Sequence, residues 1–341
     1  MKSHQSVFTL KLRYPFGISR GVSTEAYTCL FRLGVMGQGE GTPVRYKDQK
    51  AEDFAPVLEK LAALVTEENI GNIEELDARS RKEVGAPSGA QAAFDIALWD
   101  AAGRRAGKPV HALLGKEKPT GKTTCTVSLV DNEVMEERAR EAAHLPFLKI
   151  KLGRDAATDL DAMKRIRKAA PNAVLRVDAN AGWDLATARE MWPKLGELGV
   201  EFIEQPLKIG NLEELKTLTR ESELPIVVDE DAQDVSSLAP LRGRVHGINI
   251  KLMKCGGITE ALRMIRFARE EGWMILIGCM LETRLGLGAA SQLAGLVDYM
   301  DVDAHMLTTN DPFPPGSLAE FSPELPLGDE PGIGLPHHQF A

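Results

Sequence analysis

Five short apolar runs, each ending in charge and each set off from the next by nearly the same length of chain, constrain this sequence more than any other feature. They read FLKIKLGR, LRVDANAGW, VEFIEQP, PIVVDED and GINIKLMK. The charges at their ends, Lys151, Asp178, Glu204, Asp229 and Lys251, follow one another at intervals of 27, 26, 25 and 22 residues. One strand, one helix and two loops take up about that much chain, so the repeat is that of βα units with parallel strands. A parallel barrel brings the C-terminal ends of its strands to one face. Three carboxylates from successive strands then converge there. Lys149 and Lys151 precede them and Lys251 follows.

The rest of the chain fits around that repeat. From Thr123 the pattern alternates strand and helix, with strands expected at 123–129, 147–152, 173–179, 200–205, 225–229, 246–252, 274–279 and 299–303. Helices fit between them, for example Asp159 to Ala170 and Glu260 to Glu271. Eight strands with helical crossovers favour an α/β barrel of the TIM type over an open sheet. The N-terminal part differs. Residues 5–13 alternate apolar and polar, Tyr14 to Thr24 reads as a loop, and Tyr27 to Val35 reads as a second strand. Helices follow at Asp53 to Val65 and at the alanine-rich Ser88 to Arg105. Strands first and helices second make an α+β domain over 1–115. The polar stretch from Lys116 to Lys122 starts the barrel, assigned to 116–310. The Pro- and Gly-rich segment 311–341 is expected to pack back on the first domain.

Asp178, Glu204 and Asp229 offer only oxygen, the donor set of Mg2+, with Mn2+ as a substitute and one ion per subunit. A single Asp at a strand–helix turn is well explained as a helix cap, but three acids on successive strand ends would repel one another without a cation. Asn180, two residues on, is placed to orient Asp178. Glu230 is expected to face away from Asp229. Lys149 and Lys151 share one strand face, where a lysine needs a partner and its pKa falls beside a cation. Lys251 ends the sixth strand, across the barrel from them; Lys254 is the competing lysine. Two bases facing each other across a substrate suit removal of a proton from one face and its return to the other. Asp301 and Asp303 again lie two apart at a strand end. They suit either a substrate ammonium or helix capping. Cys279 reads as a small buried residue and Glu282 as an interior polar contact.

The formal net charge of −8 argues against nucleic acid as the partner. Cys29, Cys125, Cys255 and Cys279 are scattered without a CxxC, which suits reduced thiols in the cytoplasm. No apolar run is long enough to span a membrane. Association into a homo-oligomer is the general expectation for a soluble enzyme.

With FDIALWDAAGRRAGKPVHALLG, the KIK pair, VDANAGW, IEQP, VVDED and INIKLMKCGG in place, nearly the whole chain resembles the enolase superfamily, in its muconate lactonizing enzyme subgroup. The resemblance implies an N-terminal α+β capping domain and a modified (β/α)7β barrel. It implies Mg2+ on Asp178, Glu204 and Asp229, Lys151 and Lys251 as the acid/base pair, and Lys149 supporting the carboxylate site. Within the subgroup the DVDAHML stretch is similar to that of dipeptide epimerases acting on L-Ala-D/L-Glu, where Asp301 and Asp303 would hold the dipeptide's α-ammonium. Thr126 matches a substrate-side threonine, and Arg20 resembles an arginine that takes the glutamate side chain. The implied reaction is a 1,1-proton transfer at the α-carbon of the C-terminal residue. Rival expectations are an N-acylamino acid racemase or o-succinylbenzoate synthase of the same subgroup, and a silent metal-binding barrel.

Overall fold

The computed structural model describes residues 1–313 and 321–337, so the remainder of the expected C-terminal segment lies outside the described residues. Three antiparallel strands open the chain: β1 (Ser3–Ile18), β2 (Gly21–Leu33) and β3 (Gly37–Gly41), in the order β1-β2-β3. The expected loop over Tyr14 to Thr24 is therefore corrected to a hairpin. Its register shifts between Lys11 and Phe16 and then resumes with Phe16 opposite Ser23 and Gly17 opposite Val22. The glycines and the proline that suggest a loop serve that irregularity and a close approach instead. A Cβ on Gly17 would lie 1.9 Å from the Leu129 carbonyl oxygen, so the hairpin can lie against the barrel only with glycine there.

Helices α1 (Ala55–Ala63), α2 (Ile73–Glu83), α3 (Ser88–Ala106) and α4 (Val110–Leu113) complete this part. The small residues of α3 let it lie flat on β3, where a Cβ on Gly39 would meet the Ala93 carbonyl oxygen at 2.0 Å. That helix is buried almost all round, as expected of one with partners on both sides. Its outer face docks on the barrel: Asp95 accepts from the Thr259 amide (3.0 Å) and hydroxyl (2.5 Å), and the Trp99 indole donates to Thr259 Oγ1 at 3.0 Å.

Eight parallel strands follow: β4 (Cys125–Val127), β5 (Phe147–Lys151), β6 (Val174–Asp178), β7 (Val200–Glu204), β8 (Ile226–Val228), β9 (Gly247–Lys251), β10 (Met274–Gly278) and β11 (Tyr299–Asp301). They pair in sequence order. Between them run α5 (Asn132–Glu141), α6 (Ala156–Ala169), α7 (Leu185–Glu197), α8 (Leu212–Glu221), α9 (Leu252–Cys255), α10 (Ile258–Glu270) and α11 (Arg284–Ser291). No described helix is long and apolar enough to cross a membrane. Between β11 and β4 side chains do what a ladder does elsewhere. Thr123 Oγ1 accepts from the Val302 amide at 2.6 Å, Asp303 Oδ2 accepts from the Thr126 amide at 2.6 Å, and the Thr124 hydroxyl donates to Asp301.

Inward residues alternate along each strand. Below the charged ends lie Phe202, Val227, Leu276, Met274 and Tyr299, in one apolar cluster. Arg176, two residues before Asp178, is buried among them. Its guanidinium lies 4.7, 5.4 and 4.8 Å from the rings of Phe147, Phe202 and Tyr299 and pairs with Glu201 at 2.7 Å. This stack plugs the barrel beneath the site. At the chain's far end, Gly332 exchanges backbone hydrogen bonds with Lys108 and Val110, the Ile333 amide donates to Asp100, and Arg104 donates to the Leu335 carbonyl. The described part of this segment thus lies against α3 and α4.

Candidate active site

The pleat of a parallel strand turns its last inward residue into the mouth of the barrel. Asp178 ends β6, Glu204 ends β7 and Asp229 follows β8, all three almost wholly buried. One oxygen from each lies within 4.8 Å of the others. Lys149 and Lys151 come up on β5, and Lys251 comes up on β9. β5 and β9 are four strands apart in a barrel of eight, so the lysines face the acids from opposite sides. Lys151 Nζ donates to Asp178 Oδ2 at 2.6 Å, and Lys251 Nζ pairs with Asp229 Oδ2 at 2.9 Å. Lys149 bridges three acids: Asp301 at 2.7 Å, Glu204 at 2.9 Å and Asp178 at 3.2 Å.

Burial alone would raise Asp178 and Asp229, but the adjacent lysines hold both below the ordinary carboxylate range. Glu204 goes the other way. Burial and the charge of Asp178 push it up to about 7, against the pull of Lys149. Its Oε2 is within ion-pair distance of Lys149 yet has no aligned hydrogen bond among the described residues. An all-oxygen cluster that is buried, crowded enough to raise one member's carboxyl, and left with an oxygen that makes no aligned hydrogen bond fits a hard divalent cation. The expected lowering of the lysine pKa is not what the protein groups alone produce. Burial lowers Lys149 and Lys251, but the acids around them win and hold both above the ordinary value.

Two residues that the sequence reading underrates complete the cluster. Lys254, on α9, is buried, and its three N–H donors are shared among four acceptors: Asp229 Oδ1 and the Asp229 carbonyl at 2.5 Å, and the Ala232 and Asn249 carbonyls at 2.9 Å. Asn249, two before Lys251 on the same strand face, donates to Glu204 Oε1 at 2.8 Å. Asn180 does reach Asp178, through its backbone N–H at 2.8 Å and not through its side chain.

At the seam, Asp301 is taken up by Lys149 and Thr124, and Asp303 by the Thr126 amide, with Cys279 Sγ 4.0 Å away. Arg20 sits at the tip of the β1–β2 hairpin. It donates to Glu230 Oε1 at 2.5 Å and to the Asn180 carbonyl at 2.9 Å. Glu230 is thus buried under the tip, where burial first and then the charges of Asp229 and Asp178 raise its carboxyl. Its Oε2 has no hydrogen-bond partner among the described residues.

Glu282 lies deeper, buried near Glu40 of the N-terminal sheet, which accepts from Thr28, Thr283 and Gly286. Burial first, then the charge of Glu40, pushes Glu282 from 4.5 up to about 8. A carboxyl raised by folding binds its proton more tightly folded than unfolded, so stability falls as pH climbs from about 4.5 to about 8. Glu282→Gln removes that dependence. Thermal melts should show its advantage over the parent growing across this window, and a constant difference would count against the buried ionisation.

The family follows from comparison with known proteins. Residues 133–338 match the model described as enolase C-terminal domain-like, and residues 5–115 match the mandelate racemase/muconate lactonizing enzyme N-terminal domain. The chain belongs to the enolase superfamily, in its mandelate racemase/muconate lactonizing enzyme group. The eight parallel strands and the separate antiparallel sheet are that family's barrel and capping domain. Within it, the chain is 39% identical to a hydrophobic dipeptide epimerase of a Flavobacteria bacterium over 316 residues, 89% of each chain. It is 35% identical to an L-Ala-D/L-Glu epimerase of Bacteroides thetaiotaomicron over 339 residues, covering 96% of this chain and 86% of the relative. Among solved structures, the dipeptide epimerase of Enterococcus faecalis complexed with Mg and L-Leu-L-Tyr superposes with a TM-score of 0.93 at 32% identity, covering 98% of this chain and 99% of that one.

Proposed function

We propose that this protein is a Mg2+-dependent dipeptide epimerase that inverts the α-carbon of the C-terminal residue. The observation that carries the reading is the opposed lysine pair. Lys151 and Lys251 rise from opposite sides of one barrel, each anchored to a different carboxylate of the same cluster. A substrate α-carbon held between them loses its proton to one lysine and regains one from the other on the opposite face. Asp178, Glu204 and Asp229 would hold the cation, which supplies positive charge to the substrate carboxylate as it takes on enediolate character. Lys149 lies beside those acids and would steady the same carboxylate.

The substrate class rests on the seam and on the named relatives. Asp301 and Asp303 lie in a buried corner next to Thr126, where a dipeptide's α-ammonium would meet two acids and a neutral N-acyl group would bring no charge to answer them. Arg20 uses two of its five N–H donors on Glu230 and Asn180, which leaves donors for the C-terminal side chain. Relatives of both kinds, acting on hydrophobic dipeptides and on L-Ala-D/L-Glu, are similar to this chain. The substrate is therefore a dipeptide, with L-Ala-L-Glu and hydrophobic dipeptides as the candidates.

The test is exchange in D2O. The Mg2+-loaded protein is incubated with pooled dipeptides, and mass and configuration are followed. One deuteron gained with inversion at the C-terminal residue is the expected result. Exchange confined to N-succinyl amino acids would replace this reading with the racemase.

A further inference from the structure

The tip of the β1–β2 hairpin reaches groups directly attached to the acid cluster. Ser19 Oγ donates to the Asn180 carbonyl at 2.7 Å, and Arg20 donates to the same carbonyl at 2.9 Å. The amide of Asn180 in turn donates to Asp178 Oδ1 at 2.8 Å. One residue thus carries the tip's grip on its carbonyl and the cluster's grip on its N–H. The backbone there is strained. Asn180 and Ala181 have φ of 45° and 61°, the left-handed region that side chains disfavour. Such a conformation persists when its surroundings over-determine it, and here two donors from the capping domain supply part of that restraint. A second contact runs in parallel. Arg20 holds Glu230, the residue after Asp229, at 2.5 Å. The fit is close on the barrel side as well: a Cβ on Gly153 would lie 2.9 Å from Ser19 Cβ and 2.5 Å from the Ala179 carbonyl oxygen.

We propose that Ser19 and Arg20 are positioning residues for the cation site: the docked hairpin tip sets Asp178 through the Asn180 backbone, so cation affinity and tip docking are linked. The proposal rests on the reading of the three acids as a cation site. Linkage is reciprocal. Whatever factor the docked tip adds to cation affinity, the cation adds to tip docking. Arg20 itself makes the second half measurable, because trypsin cleaves after it only when the tip lifts from Asn180 and Glu230.

Calorimetric titration of the full chain with Mg2+, without substrate, is compared for the parent, Ser19→Ala and Ser19→Ala/Arg20→Ala. The double variant should bind about tenfold more weakly, and Arg20→Lys, which can reach one of the two acceptors, should fall between. In the parent, saturating Mg2+ should slow cleavage after Arg20 by a similar factor, since proteolysis of an opened segment follows its open population. Affinities within twofold across the series, or cleavage unmoved by Mg2+, would overturn the linkage and leave the cation site standing. A parent that binds no Mg2+ would overturn the cation reading and this proposal with it. Should the double variant fail to fold, Ser19→Ala and the cleavage measurement on the parent still decide the matter.

Discussion

Lys251→Ala is expected to end epimerisation while sparing proton exchange on one of the two epimers. With a lysine on each side of the α-carbon, inversion needs both, but removal of a proton from either epimer needs only the lysine facing it. Loss of one acid/base group costs roughly 10²–10⁴-fold in rate, so inversion should fall to about a thousandth of the parent's or below. In D2O, the epimer facing Lys151 should still gain deuterium with its configuration retained. Lys151→Ala should give the mirror result. Neither variant strands a buried acid. Asp229 keeps Lys254 at 2.5 Å, and Asp178 keeps Lys149 at 3.2 Å and the Asn180 amide at 2.8 Å. The severe cost of an unpartnered buried charge is avoided, so the fold should survive and the kinetics can be read. Inversion by Lys251→Ala at more than a few per cent of the parent's rate would mean the base lies elsewhere, with Lys254 the next candidate.

The barrel was legible because its strands are buried on both faces and so read as unbroken apolar runs. The run expected at 147–152 is Phe147–Lys151, and that expected at 246–252 is Gly247–Lys251. The first strand is shorter than expected, Cys125–Val127 against 123–129, because beyond it the backbone pairs elsewhere: the Thr123 amide donates to the Pro323 carbonyl and the Leu129 amide to the Gly17 carbonyl. Helix α2 carries no clear apolar stripe. IEELDARSRKE buries only Ile73, Leu76, Asp77 and Ser80, and two of those four are polar. Asp77 is buried because Arg81 and Arg263 pair with it, and Arg263 lies on α10, far along the chain.

The acids and the three flanking lysines stood out because each ends an apolar run. The same rule extends one pleat lower. Asn249 and Arg176 are each two residues before a charged strand end and therefore share its inward face. Lys254 needed a different signal: a lysine between Met253 and Cys255, just before a glycine at φ 93°, on a helix of one turn. A charge set among buried residues beside a sharp stop has to turn inward, and here it meets Asp229. The contacts of Arg20 were out of reach of any local rule, since Glu230 and Asn180 lie 210 and 160 residues away.

Asp303→Asn should cost the enzyme its preference for a free ammonium. Both oxygens of Asp301 are already occupied, Oδ1 by Thr124 and Oδ2 by Lys149. Asp303 accepts from the Thr126 amide through Oδ2 and has only the distant Cys279 thiol at Oδ1, so it keeps capacity for a ligand. Burial and the charge of Asp301 push its pKa up to about 6. Both causes disfavour negative charge there, and an incoming cation would relieve the second of them. Asparagine keeps the size and can still accept the Thr126 amide, so the seam between β4 and β11 should hold. Removing one charge of a buried ammonium–carboxylate contact costs about 2–5 kcal/mol, or roughly 30-fold to a few-thousandfold in kcat/KM for dipeptides. The comparison that interprets this number is the same dipeptide with its amino group acetylated, which has no charge to place. The parent should turn it over far more slowly than the free dipeptide, and the variant should bring the two close together by losing activity on the free one alone. Equal losses on both substrates would make Asp303 a fastener of the barrel seam, and the ammonium would then have to be held by Asp301 in competition with Lys149.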